Sequence, residues 1–155
     1  MYAKFQSLVS GFATANGLDY DLPPGSRRAS ISSSGFTVNV ALFEGAGMIY
    51  LHAPAGAVPF EGREGFYRML LEANDLFAQT DGYPLAVNGA EDLVTVQISW
   101  EIAALTQEGF DMLMTNLVNV SLKWFMKIDA YVPEAEQQGA GQSYTAEDMM
   151  NFLRV

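Results

Sequence analysis

The side chains able to do chemistry are few and scattered. His52 is the only histidine among 155 residues, and there is no cysteine. A thiolate nucleophile, a disulfide, an iron–sulfur cluster and a cysteine zinc site are thereby excluded, and a histidine metal triad lacks its other members. His52 falls in the run Met48 to Ala53, on one strand face with Met48 and Tyr50. That setting suits a structural or surface ring better than a catalytic one. There is no Gly-x-Ser-x-Gly elbow and no glycine-rich phosphate loop of the GxxxxGK[ST] or GxGxxG type. Gly45-Ala46-Gly47 leads into a strand, not a helix, so it reads as a turn. Carboxylates are paired at Glu61/Glu64, Glu91/Asp92 and Glu147/Asp148. Glycosidic chemistry needs two carboxylates converging in a cleft. These lie in loops or first helical turns, where acids complement the helix dipole. No Asp-x-Asp-x-Asp-Gly calcium loop occurs. The residues therefore predict a protein that is not an enzyme and carries no metal or cofactor.

Charge narrows the partners. Residues 1–71 hold five acidic and five basic side chains, and residues 72–155 hold thirteen and three, so the net of −10 falls wholly in the second stretch. Such a chain is repelled by nucleic-acid phosphates, and Arg27-Arg28 is too small a basic patch to reverse that. Anionic membrane surfaces are disfavoured for the same reason. No apolar run approaches the roughly 18 residues of a spanning helix. The start, MYAKFQSLVSGFATANG, lacks a continuous apolar signal core, which predicts a cytoplasmic location.

The elements follow from hydrophobic period. Phe5, Leu8, Val9 and Phe12 recur at helical spacing and predict a helix over 2–16, ended by Gly17. Gly11 inside it costs about 1 kcal/mol relative to alanine. Asp21-Leu22-Pro23-Pro24-Gly25 breaks the chain. Residues 28–32 read as a polar edge strand, and Ser33-Ser34-Gly35 as a turn. Phe36, Val38, Val40 and Leu42 alternate as a clean strand, and 48–53 is a third. The loop 54–62 precedes a second helix over 63–78, marked by Phe66, Met69, Leu70, Ala73 and Phe77. Leu85 and Val87 begin a short strand, Asn88-Gly89 signals a hairpin, and 93–102 alternates most clearly of all. Thr106 caps a long third helix striped by Phe110, Leu113, Leu117, Val120, Trp124 and Ile128, ending at Val132-Pro133. The order α-β-β-β-α-β-β-α, largely hairpin-linked, predicts an α+β fold with an antiparallel twisted sheet packed by helices. A domain over 1–132 is followed by a linker and a short amphipathic C-terminal helix over 133–155, with Met149, Phe152 and Leu153 on its apolar side.

This chain carries more apolar surface than its elements need. Leu71 and Leu76 fall off the main stripe of the second helix, Phe43 opposes the apolar face of its strand, and Met112, Met114, Phe125 and Met126 flank the third helix. Methionine-rich surfaces repack readily around partners. A generously packed core, a dimer or a peptide-binding surface all fit that surplus.

The ordered local sequences resemble the class I type III secretion chaperones, the Tir-chaperone family, over about residues 3 to 128. Met69-Leu70-Leu71-Glu72-Ala73-Asn74 is similar to the family's leucine-leucine-x-alanine-asparagine signature. Pro84-Leu85-Ala86-Val87, the strand Leu93 to Ile102 and Ser121-Leu122-Lys123-Trp124 follow in the family's order. Phe5-x-x-Leu8 with Gly17-Leu18 echoes its first helix. Residues 133–155 have no counterpart in the pattern. The resemblance implies a cytoplasmic bacterial homodimer that binds the extended N-terminal segment of a secreted effector and keeps it soluble and secretion-competent, without catalysis. Together with the apolar pattern it assigns effector contact to Phe5, Leu8, Phe12, Phe36, Val38, Val40 and Trp100. Leu71, Leu76, Phe77 and Leu85 are assigned to the dimer interface, and the tail helix to covering a groove that the effector opens. The alternative is a same-fold, non-secretory interaction or regulatory module.

Overall fold

A computed structural model describes residues 1–132. The tail helix and linker expected over 133–155 lie outside the described residues.

Helix α1 (Tyr2–Ala15) buries Phe5, Leu8, Val9, Phe12 and Ala13 on one side. Gly17 follows in the left-handed region at φ 61, as its place after the helix requires. Strands β1 (Asp19–Asp21), β2 (Arg28–Ser33), β3 (Phe36–Phe43) and β4 (Met48–Ala57) come next. Helix α2 (Arg63–Asn74) leads to β5 (Leu85–Asn88), β6 (Leu93–Glu101) and helix α3 (Gln107–Asp129). Thr106 caps α3 by accepting the Gly109 amide at 3.1 Å, which satisfies one of the free donors of the first turn. The third helix buries Phe110, Leu113, Leu117, Val120, Trp124 and Ile128, the stripe that its spacing predicts.

All pairings in the sheet are antiparallel, in the order β1-β2-β3-β4-β6-β5. Side chains opposite one another share a face, so rows run across the sheet. Ala29–Val40–Leu51–Ile98 and Leu42–Ile49–Trp100 are two such rows on the face packed by helices. The other face carries Ser30–Asn39–His52–Gln97 and Ala41–Tyr50–Ser99. Ser32 and Thr37 hydroxyls meet there at 2.9 Å, and the Phe43 and Tyr50 rings pack edge to face at 4.7 Å.

Four local differences from the sequence expectation have physical causes. The unexpected β1 is exposed at all three residues and shows no apolar alternation; it joins the sheet by pairing with β2. Strand β4 runs on to Ala57 through an irregularity between Pro54 and Gly56. Gly56 sits at φ 135, and a Cβ there would stand 2.8 Å from Ile128 Cγ2 of α3. The buried Ser121 hydroxyl donates to the Pro54 carbonyl at the same bulge. Helix α2 stops at Asn74 instead of 78, because the Asn74 side chain takes the place of a strand. Its Nδ2 donates to Leu85 O at 2.9 Å, and its Oδ1 accepts from Leu85 N at 2.8 Å. Helix α3 ends at Asp129, and Tyr131 turns back, its ring 5.1 Å from Phe66 and its hydroxyl donating to Gly62 O.

Gly11 also finds its reason. A Cβ at Gly11 would lie 2.6 Å from Gln107 Oε1, so the Gln107 amide sits where a side chain at position 11 would stand. Gln107 meanwhile donates to Leu8 O and to Asp111 Oδ1, stitching the two helices.

Candidate functional site

Strand β6 outruns its neighbour. Strand β5 pairs only with 93–96, and the last bond on that side runs from Gln97 N to Pro84 O at 2.9 Å. Beyond it, Ile98 to Glu101 pair with β4 alone among the described strands. The direction of the free groups follows from alternation along an antiparallel strand. Gln97 N points to the β5 side and Ile102 N to Gly47 O on the β4 side. Ser99 and Glu101 therefore turn their N–H and C=O groups to the side where no described strand lies. Between them Trp100 stands on the helix-packed face, 46% exposed, although Leu42 and Ile49 in its row are buried. Ile98 beside it is partly buried against the core. Unshared main-chain donors and acceptors next to an indole suit the addition of an extended chain, with backbone bonds for affinity and alternate side chains for specificity.

A second surface lies on α2 and the turn after it. Leu71 is 70%, Leu76 87% and Phe77 47% exposed, with the half-exposed Val87 on β5. Leu76 and Phe77 both take left-handed backbone, at φ 50 and 54. For residues with a side chain that conformation costs about 1–2 kcal/mol each. The turn is tied to α3: Lys123 Nζ meets Asp81 Oδ2 at 3.1 Å, and Lys127 Nζ donates to Gln79 Oε1 at 3.1 Å. Lys127 also lies 4.5 Å from the centre of the Trp124 ring.

The structure brings few of the sequence-predicted contact residues to the surface. Phe5, Leu8, Phe12, Phe36, Val38 and Val40 are all inside the protomer's own core. The reason is geometric: Phe5, Leu8 and Phe12 form the buried side of α1, and Phe36, Val38 and Val40 lie on the strand face that the helices cover, so these faces are spent within the protomer. Trp100 alone of that set is accessible. Of the expected dimer residues, Leu71, Leu76 and Phe77 are exposed together, whereas Leu85 is buried under the Asn74 clamp. The open edge at Ser99 and Glu101 was not singled out by residue type. Its signal is a mismatch in length, since the alternating run after Asn88-Gly89 is more than twice as long as the run before it.

No group of three or more potential metal ligands occurs among the described residues. A recess of about 240 Å³ is lined by Asp81, Tyr83, Asn116, Asn119 and Val120. That is smaller than the roughly 300–1,000 Å³ of small-molecule sites. Burial pushes the Tyr83 hydroxyl upward in pKa, partly opposed by its bond to Asn116. Partial desolvation lowers His52, with the Glu91 carboxylate opposing. Among the described residues no helix is long and apolar enough to cross a membrane.

The sequence matches the pattern of the Tir chaperone protein (CesT) family over residues 7–124. The chain belongs to that family. Solved structures share the fold of this CesT-family protein. A chain of the ExsC–ExsE complex superposes with a TM-score of 0.67 at 22% identity, covering 86% of this chain and 97% of its own length. One from the HopA1–SchA chaperone–effector complex gives 0.60 at 16%, covering 79% and 94%. One from the Yersinia pestis type III secretion chaperone SycH with a stable fragment of YscM2 gives 0.56 at 18%, covering 76% and 97%. No curated protein sequence matches the chain. The family is the one that the ordered motifs of 69–74, 84–87, 93–102 and 121–124 resemble, and the three α-helices and six antiparallel strands of the described residues agree with it.

Proposed function

We propose that this protein is a type III secretion chaperone that binds the N-terminal, non-globular segment of a secreted effector and keeps it soluble and secretion-competent. The observation that carries this reading is the open edge of β6 at Ser99 and Glu101 beside the exposed Trp100. Such an edge takes an extended chain, and an effector segment held unfolded is an extended chain. Fold relatives solved as a chaperone–effector complex and as a secretion chaperone in complex with a protein fragment support the same class of partner. The task is binding, with no chemical step.

The contact surface in this reading is Trp100 with Ile98 and the backbone of Ser99 and Glu101. Phe5, Leu8, Phe12, Phe36, Val38 and Val40 act beneath it, as the core that fixes the strands. A disordered partner spends part of its binding energy on ordering, so a long contact is needed to hold it. A net charge of −10 keeps an apolar surface soluble and draws in basic segments. The exposed Leu71, Leu76 and Phe77 serve a homodimer, working in the cytoplasm of a bacterium with a type III secretion system.

Light scattering on the purified chain, alone and co-expressed with the product of the neighbouring reading frame, tests this. The expected masses are about twice 16.9 kDa alone and one client chain more in the complex. Trp100→Asp is expected to lose the client and keep the dimer. A monodisperse monomer without a bound client overturns the reading.

A further inference from the structure

The free end of β6 shows different chemistry on its two faces. Ile98 and the half-exposed Trp100 stand on the helix-packed face, and both are apolar. Ser99 and Glu101 stand on the other. Glu101 is exposed and enters no ion pair among the described residues. Arg28 shares its face, in the row Arg28–Ala41–Tyr50–Ser99. Three strand spacings separate the two, about 14 Å, farther than a surface charge acts through salt. Inboard of Glu101 the same face continues with Met48 and Phe43, and inboard of Ser99 with Tyr50. The Phe43 and Tyr50 rings are exposed and pack edge to face. An unpaired carboxylate at a margin, with thioether and aromatic surface behind it, fits a long cationic side chain. The head meets the carboxylate, and the stem lies on the apolar surface.

We infer that Glu101 is a specificity residue of the β6 margin, selecting a client segment in which one apolar side chain is flanked by lysine or arginine. The inference rests on the client reading above. Alternation supplies the pattern, whichever way the segment runs. The client residue opposite Trp100 turns to the helix-packed face, where Trp100 and Ile98 receive an apolar side chain. Its two neighbours turn to the other face, opposite Ser99 and Glu101. One of them meets Glu101 directly, and the other lies diagonal to it at about 7–8 Å, within reach of a long side chain. Ser99 is small and leaves the way to Tyr50 open.

The full chain and a set of synthetic peptides decide. Each peptide carries a central Val in a Ser/Gly frame, flanked on both sides by Lys, by Gln or by Glu. Affinity is read by fluorescence anisotropy, and placement by the amide shifts of Ser99 and Glu101. The Lys peptide is expected to bind about fivefold tighter than the Gln peptide, the scale of an exposed ion pair, and the Glu peptide to bind weakest. Glu101→Gln is expected to erase that preference and Glu101→Lys to invert it. Asp129→Asn separates a local carboxylate from net charge. It removes the same charge at the far end of α3, about 30 Å along the helix, and is expected to keep the preference. A wild type indifferent to charge, a preference that survives Glu101→Gln, or one lost equally in Asp129→Asn overturns the role of Glu101. Trp100→Ala is the control on the underlying reading. If no peptide binds the wild type, or if all bind Trp100→Ala equally well, the β6 margin falls as the client site, and the Glu101 inference with it. If Trp100→Ala loses the peptides while the wild type shows no charge preference, only the role of Glu101 falls.

Discussion

The two sides of this sheet are built on opposite rules. Around β2, β3 and β4 every apolar side chain of the inner rows is buried, and the opposite face is mostly polar. Around α2, β5 and β6 the chain exposes leucine and phenylalanine, holds Leu76, Phe77, Asp81 and Asp92 left-handed, and leaves the end of a strand without a neighbour among the described residues. The first side satisfies its own needs. The second leaves apolar area and main-chain groups uncovered among the described residues. The difference separates residues buried by the fold from residues left at its surface, although both kinds are apolar.

Substitutions can break or sharpen that contrast. The largest effect belongs to the closed side: Phe12→Asp puts a charge where α1 meets Phe110 at 6.0 Å between rings, and is expected to cost more than about 4 kcal/mol and to unfold the chain. Circular dichroism checks it; a folded variant that merely loses its client would return Phe12 to the contact surface. Gly56→Ala comes next, at about 2–3 kcal/mol in urea denaturation, because its Cβ meets the stiff, branched Ile128 and its φ is unfavourable. On the open side, Leu76→Gly relieves left-handed strain. The protomer is expected to be unchanged or up to about 1 kcal/mol more stable in urea denaturation below the dimer constant, while the dimer weakens. A destabilised protomer would place Leu76 with the core residues. The smallest effect is at His52. Its folded pKa is lowered, so folding disfavours its proton; stability is intact above the unfolded value of 6.5 and declines as pH falls through it toward the folded pKa. Melting of His52→Gln against wild type from pH 7.5 to 5.5 should show the variant losing less.

Much of the closed side is legible in the sequence. The alternation of Phe36, Val38, Val40 and Leu42 and the α3 stripe fix which faces turn inward, because burial and period are the same fact seen twice. Family motifs are legible for a related reason, since they are short runs of that pattern in a set order. Other features depend on partners distant in the chain. Strand β1 exists because β2 offers it an edge, and no local pattern in Asp19-Tyr20-Asp21 announces it. The bulge at Gly56 requires Ser121 and Ile128 to arrive from α3. Which apolar positions stay exposed is hardest to read, since an apolar position on a sheet reads alike whether a helix of the same chain covers it or nothing does. Phe5 and Trp100 look equally apt until the helices are placed.

The short strand β1 has a consequence for how many chains the sheet can recruit. A sheet able to grow at both margins is a monomer for polymerisation: each copy added at one margin offers the next a fresh margin, and the product is a filament. Here one margin ends in three residues, two of them aspartates exposed to water. In the proposed reading a client strand laid along Ser99 and Glu101 extends one margin, and the far margin offers a further strand only a short, charged edge. Short, charged margins of this kind keep strand addition from passing on from sheet to sheet.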